Sequence, residues 1–287
     1  MRSALRFIAV VAICVWVRWV YIRIVAASQY TGNDVISKDS VEGVAIASLL
    51  VGSDMHYLEL MCKLGRQLGR LTEGIPLILL VLGERHSDVA RKCGWIPLVV
   101  EAIEGPRSAK RNRLIDAKAY TKLAVFNLTL YDAVVFLDLD TLPLRPFARS
   151  LFTTELQTMR GQGLRVGMAR NDFEPPLAAP LGYNSGVILV DLGANSTLSF
   201  DGLRRGIDTV PHDPELADQN YLNAVFHGEI YLLPTAYNAI VSMKGNAHDR
   251  RFWPDDALIL HYTCKPRNLY NCWRDGIEDL CMLWELY

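Results

Sequence analysis

Asp138-Leu139-Asp140 follows the apolar run Ala133-Val134-Val135-Phe136-Leu137, and carboxylates in that position need a reason to be there. A run of this length rich in Val, Phe and Leu reads as a strand buried on both faces, where an ionised side chain is costly unless something pairs with it. Residues two apart on an extended segment point the same way, so Asp138 and Asp140 can share one divalent cation while Leu139 turns back into the core. Ligands of open α/β sheets gather beyond the carboxyl ends of the strands, which is where this pair would lie. The competing explanation is a turn, because aspartate is common where strands end.

Other polar clusters are candidates to join the pair. Ile259-Leu260-His261-Tyr262 reads as a short strand ending in a histidine, with Lys265-Pro266 just beyond. Tyr183-Asn184-Ser185-Gly186 precedes Val187-Ile188-Leu189-Val190, which puts an amide and a small flexible turn at the start of a strand. Asp218-Gln219-Asn220 opens a helix through Phe226, where an acidic first turn is also ordinary capping. Pro234-Thr235-Ala236-Tyr237-Asn238 completes the set. Lys122 lies near Lys110, Arg111, Arg113 and Lys118, so a solvated lysine on a basic helix face is its bland reading.

The elements that must position these residues alternate along the chain. Residues 44–50 read as a first strand, and a Gly52-Ser53-Asp54 break leads to a helix carrying Tyr57, Leu60, Met61, Leu64 and Leu68 at helical spacing. Residues 77–82 read as a second buried strand, 86–93 as a helix, 97–102 as a third strand, and 112–128 as a long helix entering the strand before Asp138. Strands alternating with helices predict an α/β domain, with a mostly parallel sheet covered on both faces.

Composition narrows the function classes. With 287 residues, 51% hydrophobic and 21% charged, the chain can bury a large core, and a net charge of −1 gives no reason to expect a nucleic-acid partner. Residues 5–27 are almost wholly apolar, long enough as a helix to cross a bilayer, although Arg18 and Arg23 interrupt them. An uncleaved anchor is the preferred reading of residues 1–28, with a cleaved signal as the alternative; 29–43 read as a polar stem and 44–287 as the folded domain. Either reading sends the domain into the secretory lumen, expected as a single-pass type II protein of the Golgi or endoplasmic reticulum. Asn127-Leu128-Thr129 and Asn195-Ser196-Thr197 match the glycosylation pattern. Five cysteines, Cys62, Cys93, Cys264, Cys272 and Cys281, lie in the folded part, so at most two disulfides are expected, with Cys264, Cys272 and Cys281 favoured to include one.

The order of these motifs resembles glycosyltransferase family 8, the glycogenin-like enzymes. The resemblance runs from about Val44 to Lys265 through Thr121-Lys122-Leu123, Phe136 to Leu142, Asn184-Ser185-Gly186-Val187, Asp218-Gln219 with Leu222-Asn223, Leu233-Pro234 with Tyr237-Asn238, and His261 with Lys265-Pro266. It implies the glycosyltransferase type A fold, a UDP-sugar donor, manganese or magnesium, and retention of anomeric configuration. Asp138, Asp140 and His261 would ligate the cation, with Leu139 bordering the donor. Lys122 would reach the donor sugar or diphosphate, and Lys265 the diphosphate. Asn184, Ser185, Asp218 and Gln219 would hold the donor sugar, with Asp172 a further candidate, while Ser48 and Tyr57 would meet uracil and ribose. Asp218 is the obvious carboxylate for a double displacement, although a front-face route is preferred. The acceptor would be a glycan, glycoprotein or glycolipid, and a homodimer is compatible with this reading.

The sequence departs from the family in two places. His261-Tyr262-Thr263-Cys264-Lys265-Pro266-Arg267 is shorter than the usual motif, lacks its glycine and carries arginine for tryptophan. Asn220 stands where glycine commonly follows Asp-Gln. Three alternatives are a non-catalytic relative that binds a nucleotide sugar or a partner protein, a nucleotidyltransferase, and a self-glucosylating primer. Intact Asp138, Asp140 and His261 argue against the first, a lone Gly52 after the first strand against the second, and the secretory N-terminus against the third.

Overall fold

Apolar alternation sets the architecture of the computed structural model, which describes residues 43–52, 55–72, 74–106, 117–171, 182–193, 199–240 and 257–262. Along β4 (Ala133–Leu137), Ala133, Val135 and Leu137 enter one core while Val134 and Phe136 enter another, and all five are fully buried. β1 (Val44–Leu50) divides the same way, with Val44, Ile46 and Leu50 on the first side and Ala45 and Ala47 on the second. Strands apolar on both faces require cover on both faces, and each side chain the size of Phe136 contributes about 1.5–3 kcal/mol by leaving water.

These strands join β2 (Leu77–Val81), β3 (Ile96–Val99), β6 (Val166–Arg170), β7 (Tyr183–Asp191) and β8 (Ile230–Leu232) in a seven-stranded sheet of order β3-β2-β1-β4-β7-β6-β8. Pairing is parallel from β3 through β4 and between β6 and β8, and antiparallel where β7 meets β4 and β6. The mostly parallel sheet is therefore as expected. A smaller sheet places β10 (Ile259–His261) between β5 (Thr141–Pro143) and β9 (Ala239–Ile240). Helix Met55–Leu71 packs Leu60, Met61, Leu64 and Leu68 on the first face, and Gln67 donates to the Pro143 carbonyl at 2.8 Å, tying that helix to the small sheet.

Several expected elements change form. The long helix of 112–128 is a run of 3₁₀ turns, Ala117–Asn127, and residues 107–116 lie outside the described set. The third strand begins at Ile96, and Ile96, Leu98 and Val99 are exposed because β3 is the sheet edge. Asn184-Ser185-Gly186 forms no turn before the strand, because antiparallel pairing of Arg170 with Tyr183 starts β7 at Tyr183. A disulfide joins Cys62 to Cys93 with Cα atoms 4.9 Å apart, linking helix Met55–Leu71 to the end of helix Ser87–Lys92. The favoured cysteines Cys264, Cys272 and Cys281 lie outside the described residues, as does Asn195, whereas Asn127 is exposed. Among the described residues no helix is long and apolar enough to cross a membrane, and residues 1–42 are not among them.

Candidate functional site

Three strand ends meet at the carboxylate pair. Where β4 stops, the Asp138 N–H donates to the Gly186 carbonyl of β7 at 2.8 Å. Thr141 donates back to the Asp138 carbonyl through its N–H at 3.1 Å and its hydroxyl at 2.7 Å, closing a turn that sends Leu139 into the core. β5 then pairs with β10 so that His261 stands opposite Thr141, and the Tyr262 N–H donates to the Asp140 carbonyl at 2.9 Å.

This register brings His261 Nε2 to 3.4 Å from Asp140 Oδ1 and 4.0 Å from Asp138 Oδ2. One donor atom from each of the three residues lies within 4.8 Å of the others. A side chain at Gly186 would collide with the His261 ring, so the missing Cβ is what admits the imidazole. Two carboxylates from the β4–β5 turn and one imidazole nitrogen from β10 form a donor set that could hold a divalent cation.

Lys122 is buried between Asp138 and Asp218. Asp138 follows Val134 and Phe136 on the face covered by the Ala117–Asn127 turns, and that is the layer that carries Lys122. The ammonium lies 3.0 Å from Asp138 Oδ1, 2.9 Å from Asp218 Oδ2 and 3.2 Å from the Ser185 carbonyl, above the Phe136 ring. At 6% exposure this is no solvated surface lysine. Burial works to lower its pKa, but the Asp138 and Asp218 carboxylates outweigh that and hold the ammonium above its ordinary value. Burial also pushes the Asp138 carboxyl up; Lys122 and His261 oppose this, while Asp140 and Asp218 reinforce it. A cation beside Asp138 would relieve that penalty.

An irregularity in β7 opens the backbone to Lys122. The register jumps from Met168 opposite Ile188 to Ala169 opposite Asn184, leaving residues 185–187 without a β6 partner. Bulges commonly re-aim groups beside active sites in this way. The freed Ser185 carbonyl accepts from Lys122, its N–H donates to Gln219 Oε1 at 3.3 Å, and its hydroxyl donates to Asp218 Oδ2 at 2.8 Å.

Asn223 then fixes helix Asp218–Val225 against β7. It accepts from the Tyr183 N–H at 2.7 Å and donates to the Tyr183 carbonyl at 2.8 Å. Ala217, the residue before Asp218, has φ 45° and ψ −120°, a conformation costing about 1–3 kcal/mol that the buried surroundings impose.

The structure therefore assembles Asp138, Asp140, His261, Lys122, Ser185, Asp218 and Gln219 in one place. Ser48 lies in β1. It is fully buried, and its hydroxyl donates to the Leu137 carbonyl at 2.7 Å, bracing the strand that carries the pair. Half-buried Tyr57 packs its ring over Gly52 at the end of β1. Asn184 is buried, with its Oδ1 taken by the Gly186 N–H and by Asn238. Lys265 and Asp172 lie outside the described residues. Asn238 and Gly186 were visible only as members of their motifs. Their signal was an amide and a glycine in otherwise apolar surroundings, which sequence alone could not assign.

The sequence profile of Glycosyl transferase family 8 matches residues 88–267. No curated protein matches the chain. Among solved structures the chain is similar to the galactosyltransferase LgtC in complex with donor and acceptor sugar analogs, with 18% identity and a TM-score of 0.55, covering 83% of this chain and 94% of that one. It is also similar to the glycosyltransferase GlyE of Streptococcus pneumoniae, with 19% identity and a TM-score of 0.54, covering 78% of this chain and 56% of the other. The profile takes in well over half of the chain, and the fold as a whole is similar to that of those enzymes, so the protein belongs to glycosyltransferase family 8 and has the type A fold.

Proposed function

We propose that the protein is a retaining glycosyltransferase that moves a sugar from a UDP-sugar to a glycan, protein or lipid acceptor with the help of Mn²⁺ or Mg²⁺. The observation that carries this reading is the convergence of Asp138, Asp140 and His261 donor atoms within 4.8 Å, beside a buried lysine bridging Asp138 and Asp218. A bound cation would act as a Lewis acid on the diphosphate. The similar fold of an enzyme solved with donor and acceptor sugar analogs supports a nucleotide-sugar donor.

In the reaction, the bond between the anomeric carbon and the diphosphate oxygen breaks, and UDP leaves with the electron pair. The acceptor oxygen then bonds to the same face of the sugar, and its proton passes to the departing phosphate oxygen. Lys122, fixed and charged, offsets negative charge accumulating on that oxygen. Asp218 and Gln219 face the sugar. Asp218 Oδ2 is already held by Lys122 and the Ser185 hydroxyl, which supports the front-face route over attack by this carboxylate.

The proposed address is the secretory lumen, behind an N-terminal anchor. The apolar stretch at 5–27 and the Cys62–Cys93 disulfide both support it, since disulfides persist in oxidising compartments. The reading is tested by offering the full-length protein UDP-glucose, UDP-galactose, UDP-xylose, UDP-glucuronate and UDP-N-acetylglucosamine with Mn²⁺, and following UDP release. One or two donors should be consumed and the others ignored. Release from none of them, by protein whose fold is verified, would defeat the reading.

A further inference from the structure

We infer that Asn238 is a positioning residue that locks His261 in the tautomer protonated on Nδ1, leaving the Nε2 lone pair aimed at Asp138 and Asp140. This deepens the metal-site reading and rests on it only for the consequence for metal affinity.

The assignment follows from one backbone group. The Gly186 N–H can only donate, and at 2.8 Å it fixes the neighbouring Asn184 atom as the carbonyl Oδ1. Asn238 approaches that same oxygen at 2.9 Å, so the approaching atom must be its amide nitrogen. The Asn238 Oδ1 is thereby turned toward His261, where it lies 2.9 Å from Nδ1 and can only accept. The ring proton therefore sits on Nδ1.

A flip of either amide would set two donors or two acceptors against each other, at a cost of about 1–3 kcal/mol for each unsatisfied buried group. Burial makes the constraint effective, with Asn184 4%, Asn238 2% and His261 4% exposed. Asn238 is itself anchored, between buried Tyr237, whose hydroxyl donates to Ser150 at 2.9 Å, and β9, which pairs with the histidine strand. Gly186 thus serves twice, setting the relay with its N–H and admitting the imidazole by lacking a Cβ. A histidine ligand whose other nitrogen donates to an oxygen is oriented and made more basic, and losing such a partner typically costs about 10–100-fold in metal affinity.

The test is a long-range ¹H–¹⁵N NMR spectrum of metal-free, histidine-labelled protein, recorded where the imidazole is neutral, with the His261 signal identified by its loss in His261→Gln. The expected result is the Nδ1–H pattern in the wild type and a shift toward Nε2–H in Asn238→Leu. Asn238→Asp keeps an acceptor facing Nδ1, and with its second oxygen protonated to donate to Asn184 Oδ1 it should restore the Nδ1–H pattern. Mn²⁺ titration followed by electron paramagnetic resonance should show about 10–100-fold weaker binding in Asn238→Leu, with much of it recovered in Asn238→Asp.

An Nε2–H wild type that still binds Mn²⁺ would overturn the inference and leave the metal site intact. An Nδ1–H wild type that binds no Mn²⁺ would uphold the orientation and remove the metal reading instead. The wild-type spectrum needs no variant, so the inference is decided even if Asn238→Leu does not fold.

Discussion

Replacing Lys122 with methionine removes one buried charge and leaves two carboxylates facing each other. In the wild type the ammonium lies 3.0 Å from Asp138 and 2.9 Å from Asp218. At an effective dielectric near 20, each contact is worth about 5 kcal/mol of raw Coulomb attraction, largely offset by the desolvation of all three groups. What counts is the uncompensated remainder, and breaking a buried ion pair from one side typically costs about 3–5 kcal/mol. For a domain of this size that corresponds to a fall in Tm of about 6–20 °C at neutral pH.

The pH dependence has a definite sign. Burial already holds the Asp138 carboxyl above the usual range against the pull of Lys122, and without the lysine its folded pKa rises further. A carboxyl raised in the folded state contributes stability at low pH and loses it as pH climbs through the folded value. The variant should therefore lose stability relative to wild type from about pH 4 upward, and approach it below. Thermal unfolding between pH 4 and 8 provides the assay. A Lys122→Met protein with wild-type Tm at pH 7 and the wild-type slope would refute the buried bridge.

Further expectations follow from other contacts. Gly186→Ala should weaken Mn²⁺ binding by at least about 10-fold while the protein stays folded, because the added Cβ displaces the His261 ring; equilibrium dialysis reads it. Asp191 is fully buried between Arg160 and Arg165, which together hold its carboxyl below the usual range against the opposing effect of burial. Its stabilisation is present above the unfolded value near 3.9 and disappears as pH falls through the lower folded value. Asp191→Asn should cost about 2–3 kcal/mol in neutral urea unfolding, below the fully buried range because the arginines keep 32% and 26% exposure. Removing the Cys62–Cys93 bridge with Cys93→Ser should cost about 3–4 kcal/mol, from a closed loop of sequence separation 31. A Tm unaffected by that change would show that the bridge does not constrain the chain.

Much of the site could be read in advance because its parts lie at strand ends. The all-apolar runs of β1 and β4 specify themselves, and Asp138 and Asp140 announce the end of one. The meeting of His261 with that pair was legible only through the order of family motifs, since its cause is the pairing of His261 with Thr141 across more than a hundred residues. Lys122 was nominated only through its family motif, since on its own it looked like one cation among several on a basic face and nothing local reveals that its side chain turns into the core. The bond from the buried Ser48 hydroxyl to the Leu137 carbonyl was not legible, because the pairing of β1 with β4 sets it. The opening at 185–187 and the positive φ of Ala217 arise from tertiary packing, which local propensity does not encode.

The central claim is that Asp138, Asp140 and His261 hold the cation on which donor cleavage depends. It is tested most directly by measuring UDP release from the preferred UDP-sugar, alongside Mn²⁺ affinity, in wild type and Asp140→Asn, with and without chelator. Wild type should lose turnover in chelator and regain it with Mn²⁺, and folded Asp140→Asn should show Mn²⁺ affinity and turnover reduced by at least about 100-fold. Undiminished turnover in Asp140→Asn, or in wild type under chelator, would contradict the account.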